Sequence, residues 1–130
     1  MKNTFVKYIL GIVIMFSTSV VFADSFDDII NALKGANVKE VSKFFNNTVE
    51  LTINDNEGVY SKQQAEMMVK NFLANNQPKN IVIQHRGSSG QSAKYAIANY
   101  ETSQAKFRVY VFMKDSGGGM LVHEMRFEKE

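Results

Sequence analysis

The stretch KFRVYVFMKDSGGGMLVHEMRFEK, residues 106–129, contains two apolar–polar alternations separated by a run of glycines. Phe107, Val109, Val111 and Met113 recur at every second position, the period of a half-buried strand. Leu121, Met125 and Phe127 give the second run the same period, and His123 falls in phase with them. The glycines at 117–119 suit a hairpin turn, where positive φ is required. Residues 106–129 therefore read as an antiparallel hairpin with one face buried.

Working backwards, AKYAIANYET reads as another strand, followed by the short turn SQA. NIVIQHR reads as the strand before it, with Ile81, Ile83 and His85 on one face. GSSGQS between them is a loop; a phosphate cradle would need a helix behind it, and here a strand follows. Four late strands thus succeed one another through short turns. Ahead of them, SKQQAEMMVKNFLANNQP is a helix. Ser61 and Gln64 form a capping box, and Ala65, Met68, Val69, Phe72 and Leu73 keep the helical spacing. TVELTI is a strand, and NDNEG turns it back onto a short partner. Asn54, Asn56 and Gly58 hint at a calcium loop, but Ala65 stands where the bidentate glutamate would fall, so no metal site is expected. DSFDDIINALKG and NVKEVSKFF are two further helices. Ser25 and Asn37 are their expected caps, and Gly35 is the stop of the first. The sequon Asn46-Asn47-Thr48 reads as a solvated loop.

The first residues stand apart from this domain. Lys2 and Lys7 precede a short apolar run, and Val21-Phe22-Ala23 supplies a small-residue exit. That is the pattern of a secretory signal peptide over 1–23, leaving one domain over 24–130. A retained anchor is the rival; the run of about 16 residues is short of the roughly 20 that a spanning helix needs. Lipid attachment at that site is excluded because the chain has no cysteine. The expected location is exported, periplasmic or secreted, with no membrane contact after cleavage. Without Lys2 and Lys7 the 15 basic residues become 13, matching the 13 acidic ones. A neutral domain lacks the basic footprint of a nucleic-acid binder.

The order helix, helix, hairpin, helix, four strands gives an α+β fold: a cone-like, strongly bent antiparallel sheet packed on three helices. In that order, the segments VYSKQQAEMMVKNFL, IQHRGSS, YAIANYET and KFRVYVFMK…MLVHEMRFEK resemble the nuclear transport factor 2-like superfamily. More narrowly they resemble a family of small exported domains of unknown function, mostly from Bacteroidetes. The resemblance implies a conical pocket and, often, dimers through the open sheet face. It implies no single activity, because enzymes and binding modules share this fold.

Enzymes of the superfamily place Asp, His and Tyr inside the cone. Here the pocket candidates are His123, His85, Tyr95, Met68, Phe72 and Val111. Neither histidine has an inward carboxylate, since Asp24, Asp27, Asp28, Asp55 and Asp115 read as caps or turns. Glu124 is expected on the face opposite His123, meeting Arg108 or Arg126. No catalytic set is assembled, no nucleophile elbow is present, and two histidines without acidic or thiol partners fall short of a zinc site. No cofactor is expected. On the outer sheet face, Arg108, Tyr110, Phe112 and Arg126 have the composition of an interface. The expected function is non-enzymatic binding of a small apolar ligand or a protein partner. The alternatives are a small lyase or isomerase using a pocket histidine and tyrosine, and a dimerisation domain acting through the open sheet face.

Overall fold

The computed structural model describes residues 25–130, so the signal-peptide expectation lies outside the described residues. Three helices and six strands follow one another: α1 (Ser25–Lys34), α2 (Val38–Ser42), β1 (Phe45–Ile53), β2 (Asn56–Ser61), α3 (Lys62–Asn75), β3 (Asn80–Ser88), β4 (Ala93–Glu101), β5 (Lys106–Asp115) and β6 (Met120–Lys129). Among these, no helix is long and apolar enough to cross a membrane.

The helix ends follow local chemistry. The Ser61 hydroxyl accepts the Gln64 N–H at 3.2 Å, and the Gln64 side chain accepts the Ser61 N–H at 3.4 Å, the expected capping box. Asn37 accepts the Glu40 N–H at 3.3 Å, while the Glu40 carboxylate turns to Lys43 at 2.7 Å. Ser25 sits within the first turn of α1 rather than ahead of it. The left-handed residue that closes α1 is Ala36, with φ 53°, one position beyond the glycine expected to do so. There the Asn37 N–H reaches back to the Ala32 carbonyl, which satisfies an end group of the helix.

The strands form one open sheet in the order β2-β1-β6-β5-β4-β3. All neighbours pair antiparallel except β1 and β6, which run parallel. That exception follows from connectivity, since β1 belongs to the hairpin preceding α3 and returns to the sheet beside its last strand. β1 also starts earlier than TVELTI, so the sequon residues 46–48 are strand residues. At the β5–β6 turn, Gly117 and Gly119 take φ of 87° and 126°, as hairpin chemistry demands.

The helices cover one face of the sheet. Phe26, Ile29, Ile30 and Leu33 of α1 and Ala65, Val69, Phe72 and Leu73 of α3 are buried against it. The sheet answers with Phe107, Val109, Val111 and Met113 from β5 and Val122, Met125 and Phe127 from β6, all buried. The other face has no covering layer among the described residues. At the rim, Arg86 of β3 reaches Asp27 of α1 at 2.6 Å, tying the first helix to the edge strand.

Candidate functional site

Two β-bulges decide where the polar side chains point. In the β3–β4 pair the register shifts between Ile83 and His85, leaving Gln84 as the extra residue. In the β5–β6 pair Met113 faces Val122 while Phe112 faces Glu124, so His123 is the extra residue. An additional residue in one strand reverses the in–out alternation beyond it.

Both histidine assignments to the inner face are corrected by these shifts. His85 pairs with Ile97 on the uncovered face, apart from Ile81 and Ile83. Leu121 pairs with Lys114 on that same face, and Val122 takes the buried position in its place. His123 and Glu124 together oppose Phe112, so the alternation that would have parted them does not apply. The His123 Nε2 lies 3.0 Å from the Ser116 hydroxyl across the turn. Tyr95 and Ile97 do share a face with Asn99, and it is the outer one: they pair with Phe112, Tyr110 and Arg108 respectively.

These shifts assemble a row of side chains across four strands. Gly87 pairs with Tyr95, and the Tyr95 ring lies over its backbone so closely that a Cβ at 87 would fall 2.3 Å from Cζ. The absent side chain lets the ring lean toward β3. There its hydroxyl shares a hydrogen bond with His85 Nε2 at 3.1 Å. The Tyr95 and Tyr110 rings follow at 6.1 Å between centroids. The Arg126 guanidinium sits 5.3 Å from the Tyr110 ring centre, a cation–π distance. Arg126 also pairs with Glu124 at 2.9 Å, and Glu50 lies beside Glu124 in the β1–β6 register. Burial, the Glu124 carboxylate and Tyr95 push the Tyr110 phenol up, with Arg126 opposing, so it stays neutral at physiological pH. Its hydroxyl has no hydrogen-bond partner among the described residues. Arg108 extends the face toward Glu130 at 3.7 Å, and Phe112 lies half-buried beside the row.

His123 carries a pH signature. Burial, assisted by the nearby Lys114 ammonium, lowers its pKa below the ordinary value of 6.5. A base whose folded pKa is depressed binds its proton more readily when unfolded. Its contribution to stability is therefore fully present above pH 6.5 and is lost as pH falls through the lower folded value. Urea midpoints measured between pH 7.5 and pH 5 should fall with acidification. His123→Gln should flatten that dependence; an unchanged slope would remove His123 as its source.

The remaining pocket candidates lie on the other side of the sheet, in the core. Phe72 is 4% exposed and Val111 2%, and Met68 packs against the same cluster. Phe72 touches Phe127 at 4.4 Å, Phe107 at 5.1 Å and Tyr100 at 5.6 Å between ring centroids. The Tyr100 hydroxyl donates to the Asn76 carbonyl, and burial raises its pKa strongly. The space beneath the helices is thus occupied by aromatic side chains, and a small apolar ligand there would have to displace them. A lyase or isomerase reading needs a tunable base and a substrate proton within reach. Among the described residues the inner cluster brings Tyr100 to this space, while the hydrogen-bonded pair His85 and Tyr95 lies on the outer face. Among the described residues, no group of three His, Cys, Asp or Glu could hold a metal.

Sequence reasoning missed Gly87, reading it as part of a loop. A glycine one strand-length from an aromatic cross-strand partner was the available signal.

With this geometry in view, the chain can be set beside known proteins. The profile of a family described as "Domain of unknown function (DUF4783)" matches residues 26–128. A DUF4783 protein from Bacteroides uniformis superposes with a TM-score of 0.77 at 23% identity, covering 82% of this chain and 98% of the other. One from Bacteroides ovatus gives 0.75 at 25% identity, covering 79% and 93%. An NTF2-like protein of unknown function from Cytophaga hutchinsonii gives 0.59 at 10% identity, covering 81% and 86%. No curated protein matches. The order of elements, the open bent sheet and the match across nearly the whole described chain agree: this chain belongs to the DUF4783 family, a domain of unknown function on an NTF2-like fold.

Proposed function

We propose that this domain is a non-enzymatic interaction module whose uncovered sheet face pairs with a second copy of the chain. The observation that carries the reading is the row from His85 through Tyr95, Tyr110 and Arg126 to Glu124. Tyr and Arg are the residues that most often dominate binding energy at interfaces, and here they are pre-ordered by contact with one another.

Charge supports a like partner. On the outer face, β1, β2 and β6 bring Glu50, Glu57, Glu124 and Glu128, against the one cation Arg126. β5 brings Lys106, Arg108 and Lys114, against Glu101 of β4 beside Lys106. A two-fold axis running along the strands between β5 and β6 lays the acidic β6 of one copy over the basic β5 of the other, with Tyr110 and Arg126 beside the axis. Such an isologous contact is the commonest way soluble chains associate.

Sedimentation velocity of the purified protein over a range of concentrations tests this. A dimer is expected, weakened about thirtyfold or more by Tyr110→Ala, the scale of a central interface residue. Added salt should weaken it further through the opposed flanks. A wild-type chain that stays monomeric at the highest attainable concentration would sink the proposal. So would a dimer indifferent to Tyr110→Ala and to Phe112→Ser.

A further inference from the structure

The end of the cone opposite the β5–β6 turn holds two adjoining clefts of about 470 Å³ and about 490 Å³. They lie between the C-terminus of α3, the β4–β5 turn and the end of β6, and share Thr102, Ser103, Gln104, Ala105 and Lys129. We infer that they form a binding site for a hydroxyl-rich ligand, the terminal sugar of a saccharide, held by Asn75, Gln77, Ser103, Gln104 and Lys129. This site is separate from the outer sheet face, and neither reading depends on the other.

The walls are fixed by bonds of their own. The Thr102 hydroxyl accepts the N–H groups of Gln104 at 3.2 Å and Ala105 at 2.8 Å, and donates to the Ala105 carbonyl at 3.1 Å. The Asn76 side chain donates to the Phe72 carbonyl at 3.1 Å, and the Tyr100 hydroxyl holds the Asn76 carbonyl. By contrast, the side chains of Asn75, Gln77, Ser103, Gln104 and Lys129 have no hydrogen-bond or ion-pair partner among the described residues. A rigid floor therefore presents unpaired polar groups on its rim.

The donor set selects the ligand class. Primary amides and a hydroxyl each offer both a donor and an acceptor. Vicinal sugar hydroxyls have the same dual character, so donors and acceptors match without a charge. A phosphate would need donors alone and unpaired cations, yet Lys106 pairs with Glu101 at 3.8 Å, Glu130 lines the same cleft, and Asp55 and Glu128 line the neighbouring one around Lys129. An apolar ligand would find only Ala74, Ala105 and Phe107 among the lining residues.

The test is a titration of the uniformly ¹⁵N-labelled protein with N-acetylglucosamine and with maltose, followed by NMR. Side-chain amide signals report directly on Asn75, Gln77 and Gln104. Saturable shifts confined to these amides and to the β4–β5 turn are expected with at least one of the sugars. Gln104→Ala should weaken binding about tenfold, the loss of one or two hydrogen bonds. Lys129→Met should weaken it comparably. Absence of saturable shifts with both sugars would overturn the inference. It would also fail if shifts centred on Tyr95 and Tyr110, or if both variants bound as the wild type does.

Discussion

Phe72→Ala is expected to lower the unfolding free energy by about 3–5 kcal/mol, the cost of truncating an aromatic in a packed core. Phe72 is the hub of the inner cluster: its ring meets Phe127, Phe107 and Tyr100, and α3 brings it down onto β5 and β6. Truncation strands three aromatic edges around a void that no neighbour can fill without leaving its rotamer. For a domain of this size the loss corresponds to a drop of more than about 10 °C in Tm. Urea and thermal unfolding measure it. The size of the effect separates two descriptions of the space under the helices. A side chain lining an open pocket would be truncated at small cost, and a loss below about 1 kcal/mol would point to such a pocket.

Deleting His123 should leave the fold intact, whereas deleting Arg126 should abolish it. The bulge makes His123 the one extra residue in β6. Without it, Leu121 and Glu124 still face outward, and Val122, Met125 and Phe127 still face the core, so alternation is preserved on both sides. Without Arg126, Phe127 moves to the outer face and Glu128 enters the position where Phe127 is now 0% exposed. That exchange forfeits about 2–3 kcal/mol of apolar burial. It also places a carboxylate in the core, where an unpaired charge is far more costly still. Circular dichroism and one-dimensional NMR of the two deletions decide the matter. A His123 deletion as disordered as the Arg126 deletion would refute the assignment of the extra residue.

Much of this architecture is legible in the sequence because periodicity and caps are local. Ser61 with Gln64, the 107–113 alternation and the glycines at 117–119 each announce their element within a few residues. The facing of His85 and His123 is not local. A bulge with no glycine adds one residue and leaves no composition signal, and Leu121 and Val122 are equally plausible as the inward residue. Only the three-residue spacing from Val122 to Met125 marks the irregularity, and it emerges once Met113 and Phe112 fix the register. The ion pair of Glu124 with Arg126 was readable, since both lie on one face two positions apart. The cleft around Lys129 was not, because its walls come from three segments far apart in the chain.

The irregularity at Gln84 has an effect outside the folded monomer. β3 closes one side of the sheet, with no further strand beside it among the described residues. A straight, regular border of that kind is a template onto which another chain can polymerise. The extra residue breaks the even sequence of main-chain donors and acceptors midway along Asn80–Ser88 and twists the border out of line. The same kink that turns His85 toward Tyr95 thus guards the domain against edge-to-edge growth into fibrils.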